Sequence, residues 1–104
     1  MSALPLFKSE ADFQAQLIDA AQRLGWRFYH TGDSRRSHPG FPDLCLVKPP
    51  RVLFAELKTE KGKVTQEQAQ WMSALLACPG VEAYVLRPAD WPAILLTLAK
   101  REAP

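Results

Sequence analysis

Cysteine is scarce in this sequence, since Cys45 and Cys78 are the only two among 104 residues. Two isolated cysteines form no disulfide framework, and together with the two histidines they lack the ligand spacing of a zinc site. We therefore interpret both thiols as small buried side chains in a reducing compartment. Functions that depend on structural zinc or on disulfides are excluded.

Long apolar runs are also absent, although 47% of the residues are hydrophobic. The longest stretches are far shorter than the ~20 residues that a membrane span needs. Lys8, Glu10 and Asp12 interrupt the N-terminus, so we expect no signal peptide. This length fits a single domain, residues 1–104, which we expect to be cytoplasmic and to bind no membrane.

Net charge is small, at +2 for the whole chain. The stretch from Arg35 to Lys63, however, contains seven basic residues and only three acidic ones. A local basic excess can attract a polyanion such as nucleic acid. It can also simply keep loops solvated, and charge alone favours that second explanation.

Three segments have the pattern of capped helices. The first spans residues 10–24, follows the N-cap Ser9 and ends at Gly25. The second begins at Thr65, where Gln68 completes a capping box. The remaining boundaries are Cys78–Gly80 at the end of the second helix, Asp90 as the last N-cap and Pro92–Lys100 for the last helix.

Four segments are predicted as strands: Trp26–His30, Asp43–Lys48, Val52–Lys58 and Glu82–Leu86. The second and third are joined only through Pro49–Arg51, so we expect them to pair as a hairpin. The third strand, second helix and fourth strand form a βαβ unit, whose right-handed crossover makes the two strands parallel. The predicted fold is α/β in the order α-β-β-β-α-β-α, with a mixed β-sheet flanked by helices.

Acidic side chains are predicted to converge at one end of this sheet. Strand alternation puts Glu56 and Lys58 on one face, and the hairpin places Asp43 across from residues 56–58. Glu10 is in line with the apolar stripe of the first helix, at its N-terminal end. If that helix packs on the face of Glu56, Glu10 can approach as well.

Two explanations of this acidic cluster remain open on the residues alone. One is a structural salt bridge to Lys58, but a single lysine cannot neutralise three carboxylates in a low-dielectric site. The other is a hard divalent cation, because carboxylates, a backbone carbonyl and waters suit Mg²⁺ or Mn²⁺.

Longer motifs surround these acids. They are S-E-x-x-F-Q at Ser9–Gln14, L-G-W at Leu24–Trp26, G-x-P-D at Gly40–Asp43, E-L-K at Glu56–Lys58 and T-x-x-Q-x-x-W at Thr65–Trp71. The pattern resembles the VRR-NUC domain of the PD-(D/E)XK nuclease superfamily, over roughly residues 9–90. It is similar to the compact, stand-alone form of phages and bacteria, which implies a bacterial or phage-infected cell.

The resemblance implies a restriction-endonuclease-like fold and a set of site residues. By position, the metal ligands would be Glu10, Asp43, Glu56 and the carbonyl of Leu57, and the catalytic residues would be Asp43, Glu56, Lys58 and Gln68. Lys58 would position or activate the attacking water and stabilise developing charge. Gln68 would contact metal-bound water or DNA, although its capping box with Thr65 explains it equally well.

The resemblance also implies a Mg²⁺- or Mn²⁺-dependent endonuclease that acts as a homodimer on branched DNA such as four-way junctions. Residues expected to bind nucleic acid are Arg35, Arg36, His38, Lys61 and Lys63. Solvated loops are the alternative explanation for these residues. Two other functions stay open: a non-catalytic DNA-binding module with a structural metal site, and a defence-type nuclease that needs a partner subunit.

Overall fold

The helices and strands follow one another in the order that the sequence predicts. This computed structural model describes residues 7–31 and 38–104. Its elements are α1 (Glu10–Arg23), β1 (Arg27–His30), β2 (Leu44–Lys48), β3 (Arg51–Leu57), α2 (Gln66–Leu76), β4 (Val81–Leu86) and α3 (Trp91–Ala99). A short 3-10 turn, Pro88–Asp90, leads into α3. The predicted α-β-β-β-α-β-α order is confirmed, with element ends displaced by one or two residues.

The four strands form one mixed sheet in the spatial order β1-β2-β3-β4. β2 pairs antiparallel with both β1 and β3, and Leu44 lies opposite Ala55 in the hairpin. β3 and β4 are parallel, as expected for a helical crossover. The predicted hairpin and the predicted parallel pair are therefore both confirmed.

The two faces of the sheet are covered by different helices. On one face, α1 and α3 form the hydrophobic core with alternate residues of β2 and β3: Phe13, Leu17, Ala21, Leu44, Leu46, Leu53, Ala55, Leu57, Ile94 and Leu98. On the other face, α2 approaches the sheet, and Trp71 packs on Phe41, which in turn packs on Phe54. Because strand side chains alternate, Glu56 belongs to the α2 face.

The structure corrects two expectations. Cys78 is exposed rather than buried, whereas Cys45 is half-buried. The second correction concerns Glu10. We expected Glu10 to approach Glu56 if the first helix packed on the same face of the sheet. Instead, α1 packs on the opposite face, where Leu57 rather than Glu56 points into the core. Helix periodicity identifies which stripe of a helix is buried, but it does not decide which face of a sheet receives that stripe.

Large apolar side chains are exposed at a few described positions, notably Tyr29 on β1 and Leu96 on α3, each 67% exposed. Scattered apolar side chains of this kind are normal on soluble domains. Among the described residues, no helix combines the length and the apolar character that crossing a membrane would require.

Candidate active site

The candidate site lies where β2 begins and β3 ends. Asp43 immediately precedes β2, and its Oδ2 accepts the backbone N–H of Leu57 at 2.8 Å. Continuing the hairpin register one step beyond the Leu44–Ala55 pair places Asp43 opposite Glu56. The predicted position of Asp43, across the hairpin from the end of β3, is therefore confirmed.

Glu56 is buried with only part of its hydrogen-bonding capacity satisfied. The residue is 4% exposed. Its Oε2 accepts a hydrogen bond from Gln68 Nε2 at 2.8 Å, and Lys58 Nζ lies 3.7 Å from the same oxygen. Its Oε1 is buried and has no hydrogen-bond partner among the described residues. An unpartnered buried carboxylate oxygen is costly, so this atom marks a site for a proton or a cation.

The environment of Glu56 also changes its acidity. Burial and the negative charge of Asp43 raise the pKa of Glu56 from 4.5 to about 7, against the opposing effect of the Lys58 ammonium. Burial and a neighbouring like charge both disfavour the ionised form of a carboxyl. Two carboxylates held together in this way are typical of sites that receive a cation.

Gln68 forms the capping box that the sequence predicts and also contacts Glu56, whereas its contact with metal-bound water or DNA stays a prediction. In the capping box of α2, Gln68 Oε1 accepts the N–H of Thr65 at 2.9 Å, and the N–H of Gln68 donates to Thr65 Oγ1 at 3.1 Å. The amide nitrogen of the same side chain is left to donate to Glu56. The cap of α2 thus orients a hydrogen-bond donor toward the buried carboxylate.

The turn that carries Asp43 is packed tightly against α2. Gly40 has a φ of +86°, which favours glycine, and a Cβ at this position would lie 2.5 Å from the backbone carbon of Glu67. The G-x-P-D segment can therefore approach the helix only with glycine at its first position. This close approach brings Asp43 and Gln68 to the same end of the sheet.

Comparison with known proteins identifies the family. The model of the VRR-NUC domain matches residues 5–90 of this sequence. The chain belongs to the VRR-NUC family. No curated protein matches the sequence.

Solved structures agree with this VRR-NUC assignment at the level of the fold. A VRR_NUC domain is 22% identical, with 84% of this chain and 92% of that chain covered and a TM-score of 0.68. A VRR_NUC domain protein is 17% identical, with 86% of this chain and 87% of that chain covered and a TM-score of 0.68. Hjc of Archaeoglobus fulgidus, a Holliday junction resolvase from an archaeal hyperthermophile, is 20% identical. The match covers 72% of this chain and 63% of that chain, with a TM-score of 0.57. The restriction-endonuclease-like α/β core of this chain is thus a nuclease fold.

Glu10 lies on the α1 side of the sheet, beside Lys58 but on the face opposite Glu56. It is exposed, and it lines a pocket together with Lys58 and the core residue Phe13. Within residues 7–31 and 38–104, however, no three His, Cys, Asp or Glu side chains come close enough together to hold a metal ion. The structure therefore brings Asp43, Glu56 and Lys58 together, while the place of Glu10 in a ligand set stays a prediction.

The residues predicted to bind nucleic acid are only partly described. Arg35 and Arg36 lie outside the described residues. His38 is exposed and packs edge-on against Trp71, with 6.2 Å between ring centroids. Lys61 and Lys63 are exposed in the turn that follows β3. Their role in binding DNA stays a prediction.

One residue beside the site has no signal in the sequence. Arg87 follows β4 and donates to backbone carbonyls of the turn after Lys58. These partners are 25 and 28 residues away, and neither periodicity nor a local motif connects them.

Proposed function

We propose that this VRR-NUC protein is a divalent-metal-dependent DNA endonuclease that is selective for branched DNA such as four-way junctions. The observation that carries the proposal is the pair formed by half-buried Asp43 and buried Glu56, with one Glu56 oxygen unpartnered and Lys58 Nζ 3.7 Å from the other. A structural salt bridge would satisfy both oxygens, whereas a cation site leaves one free for the ion.

The donor chemistry fits a Mg²⁺ or Mn²⁺ ion, because all of the available ligands are hard oxygens. Asp43 and Glu56 would hold the ion, and Glu10 and the Leu57 carbonyl are the further ligands that the sequence predicts. When bound, such an ion neutralises phosphodiester charge and makes a water molecule more acidic. The raised pKa of Glu56, about 7, means that a cation and a proton compete for this carboxylate.

The remaining side chains of the site hold the substrate and the carboxylates in place. Lys58 supplies a fixed positive charge for the negative charge that develops on the phosphate, and it orients the attacking water. Gln68 keeps Glu56 Oε2 engaged, which leaves Oε1 available to hold an ion. Contacts to DNA phosphates would position the substrate without reading its sequence. The residues that we propose for these contacts are Arg35, Arg36, His38, Lys61 and Lys63.

Branched DNA and a homodimer are proposed together. The similar fold of Hjc, which is named as a Holliday junction resolvase, supports a junction substrate. Paired nicks on a symmetric junction require two active sites, and a two-fold homodimer provides them. A single domain over residues 1–104 and a cytoplasmic location are parts of the same proposal.

The decisive experiment is cleavage of a DNA panel by the wild type and three variants. The panel contains four-way junction, flap, single-stranded and duplex DNA, each tested with Mg²⁺, Mn²⁺ or EDTA. Lys58→Ala and Asp43→Asn should each lower cleavage by about 100-fold or more, because removing one electrostatic group of a catalytic site commonly costs that much. Lys100→Ala is the matched control, since its exposed side chain follows α3 and its backbone lies beside Arg51, at the end of β3 opposite Glu56. Circular dichroism checks that each variant is folded.

Each outcome separates the proposal from its alternatives. Unchanged cleavage by both folded site variants would contradict it. Junction binding without cleavage in any divalent ion would indicate the non-catalytic DNA-binding module. Cleavage that appears only after a second subunit is added would identify the partner-dependent nuclease. Sedimentation of the wild type as a monomer at micromolar concentration would remove the homodimer from the proposal.

A further inference from the structure

Arg87 binds the turn that follows β3. Its Nη1 donates to the carbonyl of Thr59 at 2.6 Å and to that of Gly62 at 2.7 Å, and the carbonyl of Glu60 lies 3.5 Å away. Hydrogen bonds from a charged donor are about twice as strong as neutral ones. One guanidinium therefore holds both ends of the turn Thr59–Gly62 together.

This turn packs against the side chain of Lys58. A Cβ added to Gly62 would lie 3.0 Å from Thr59 Oγ1 and 3.5 Å from Lys58 Cδ, so the turn lies directly over the lysine stem. The N–H of Gly62 also donates to the Thr59 carbonyl, at 3.2 Å, which is the same oxygen that Arg87 binds. A displacement of the turn would therefore change the packing along the stem that carries the Lys58 ammonium.

β4 anchors both Arg87 and Lys58. The N–H of Lys58 donates to the carbonyl of Leu86 at 3.0 Å, and Leu86 is the residue directly before Arg87. The backbone N–H of Arg87 donates to Asp90 Oδ2 at 3.1 Å, which connects it to the 3-10 turn before α3. The guanidinium is thus carried by rigid structure rather than by a mobile loop.

We propose that Arg87 is a positioning residue, which holds the turn Thr59–Gly62 over Lys58 and so fixes the Lys58 ammonium beside Glu56. The inference rests on the proposed nuclease function, because the placement of Lys58 matters for a reaction only if Lys58 takes part in one. Displacing a catalytic group by about 1 Å can lower a rate by as much as ~100-fold. Arg87 therefore acts on the rate without touching the substrate.

Direct binding of a DNA phosphate by Arg87 is the competing role. A guanidinium that serves as a phosphate contact presents its N–H groups to solvent, whereas Nη1 of Arg87 is committed to backbone carbonyls. The two roles have different signatures. Loss of a phosphate contact weakens DNA binding and reduces the dependence of the logarithm of affinity on the logarithm of salt concentration by about 1.

The test compares Arg87→Ala and Arg87→Lys with the matched control Arg101→Ala, whose exposed side chain lies beyond α3. Hydrogen exchange of the Gly62 amide, measured without DNA or metal, should be at least about tenfold faster in Arg87→Ala than in the wild type or the control. Single-turnover cleavage at saturating junction DNA should be about 10-fold to 100-fold slower. Junction affinity in Ca²⁺ and its salt dependence should stay unchanged. Arg87→Lys, whose single ammonium cannot reproduce the planar fork, should behave like Arg87→Ala.

Two outcomes would overturn the inference. Unchanged Gly62 exchange in both variants would show that Arg87 does not hold the turn. A normal single-turnover rate with weaker, less salt-dependent binding would assign Arg87 to a DNA phosphate. If the wild type cleaves no DNA in the panel above, the proposed nuclease function fails and this inference falls with it. If the wild type cleaves and Arg87→Ala cleaves equally fast at saturation, only the inference fails.

Discussion

At the scale of single residues, the chemistry of the site depends on how the carboxyl group of Glu56 is buried and bonded. Its carboxyl is buried beside Asp43, and its Oε1 finds no hydrogen-bond partner among the described residues. Gln68 and Lys58 both act on the other oxygen. Without a cation, the neutral and ionised forms of Glu56 are both populated near neutral pH, because burial and the Asp43 charge raise its pKa to about 7.

The stability of the metal-free protein should therefore depend on pH through Glu56. The pKa of Glu56 is higher in the folded chain than its ordinary value of 4.5, so the folded state binds more protons between pH 4.5 and about 7. The stabilisation is complete below pH 4.5 and is lost as pH rises through about 7. In EDTA, we expect the free energy of unfolding to fall by about 1–3 kcal/mol between pH 5 and pH 8.

Glu56→Gln should remove most of that fall, because the amide does not ionise, whereas the exposed Glu60→Gln should leave it in place. Urea denaturation of the three proteins at pH 5 and pH 8 measures the difference. The same pH dependence in Glu56→Gln and in the wild type would disprove the assignment to Glu56.

At the scale of elements, the site depends on a close backbone contact between the G-x-P-D segment and α2. Gly40 combines a positive φ with a contact so close that a methyl group would overlap the carbonyl of Glu67 in α2. The helix cap that directs Gln68 to Glu56 belongs to the first turn of the same helix. The G-x-P-D segment and α2 therefore form one unit, which sets the distance between Asp43 and Gln68.

Gly40→Ala should disturb this unit, and the chain offers a matched control. Gly80 has a similar φ of +81°, but no atom lies within 4 Å of a Cβ placed there. Gly80→Ala should cost only the strain of a left-handed alanine, about 1 kcal/mol, whereas Gly40→Ala should cost about 1–3 kcal/mol more. Urea denaturation measures both losses, and cleavage assays should show a rate defect for Gly40→Ala alone. Equal destabilisation by the two substitutions would mean that α2 moves away without resistance.

At the scale of the whole molecule, a buried ionic network joins the end of the sheet farthest from the candidate site to α3. Arg51, 3% exposed, binds both carboxylate oxygens of Glu82, at 2.8 and 2.6 Å. Its Nη1 donates to the carbonyls of Thr97 and Lys100 at 2.8 Å each, and so satisfies the C-terminal end of α3. The guanidinium also lies over the ring of Trp26, at 4.8 Å from its centroid.

Arg51→Ala should lower the free energy of unfolding by about 3–5 kcal/mol, because it leaves the buried Glu82 carboxylate without a cationic partner and only the Tyr84 hydroxyl bound to it. Arg23→Ala is the control, since its ion pair with Asp19 is exposed and should contribute less than about 1 kcal/mol. Chemical denaturation at neutral pH gives both values. A loss in Arg51→Ala as small as that in Arg23→Ala would show that the network contributes no stability.

Local patterns in the sequence were enough to determine the order of the elements, the hairpin, the parallel strand pair and the convergence of Asp43, Glu56 and Lys58. Strand alternation and hairpin register relate residues that are close along the chain, so short-range rules place them correctly. Cap motifs likewise located the start of α2 and the end of α1.

Only the tertiary structure decided that α1 packs on the face opposite Glu56, that the cap of α2 directs Gln68 to that carboxylate, and that Arg87 holds the turn over Lys58. Each of these depends on which face of the sheet receives a helix and on contacts between residues far apart in the chain. Such packing depends on how the whole hydrophobic core buries its apolar surface, and a local sequence pattern does not determine it.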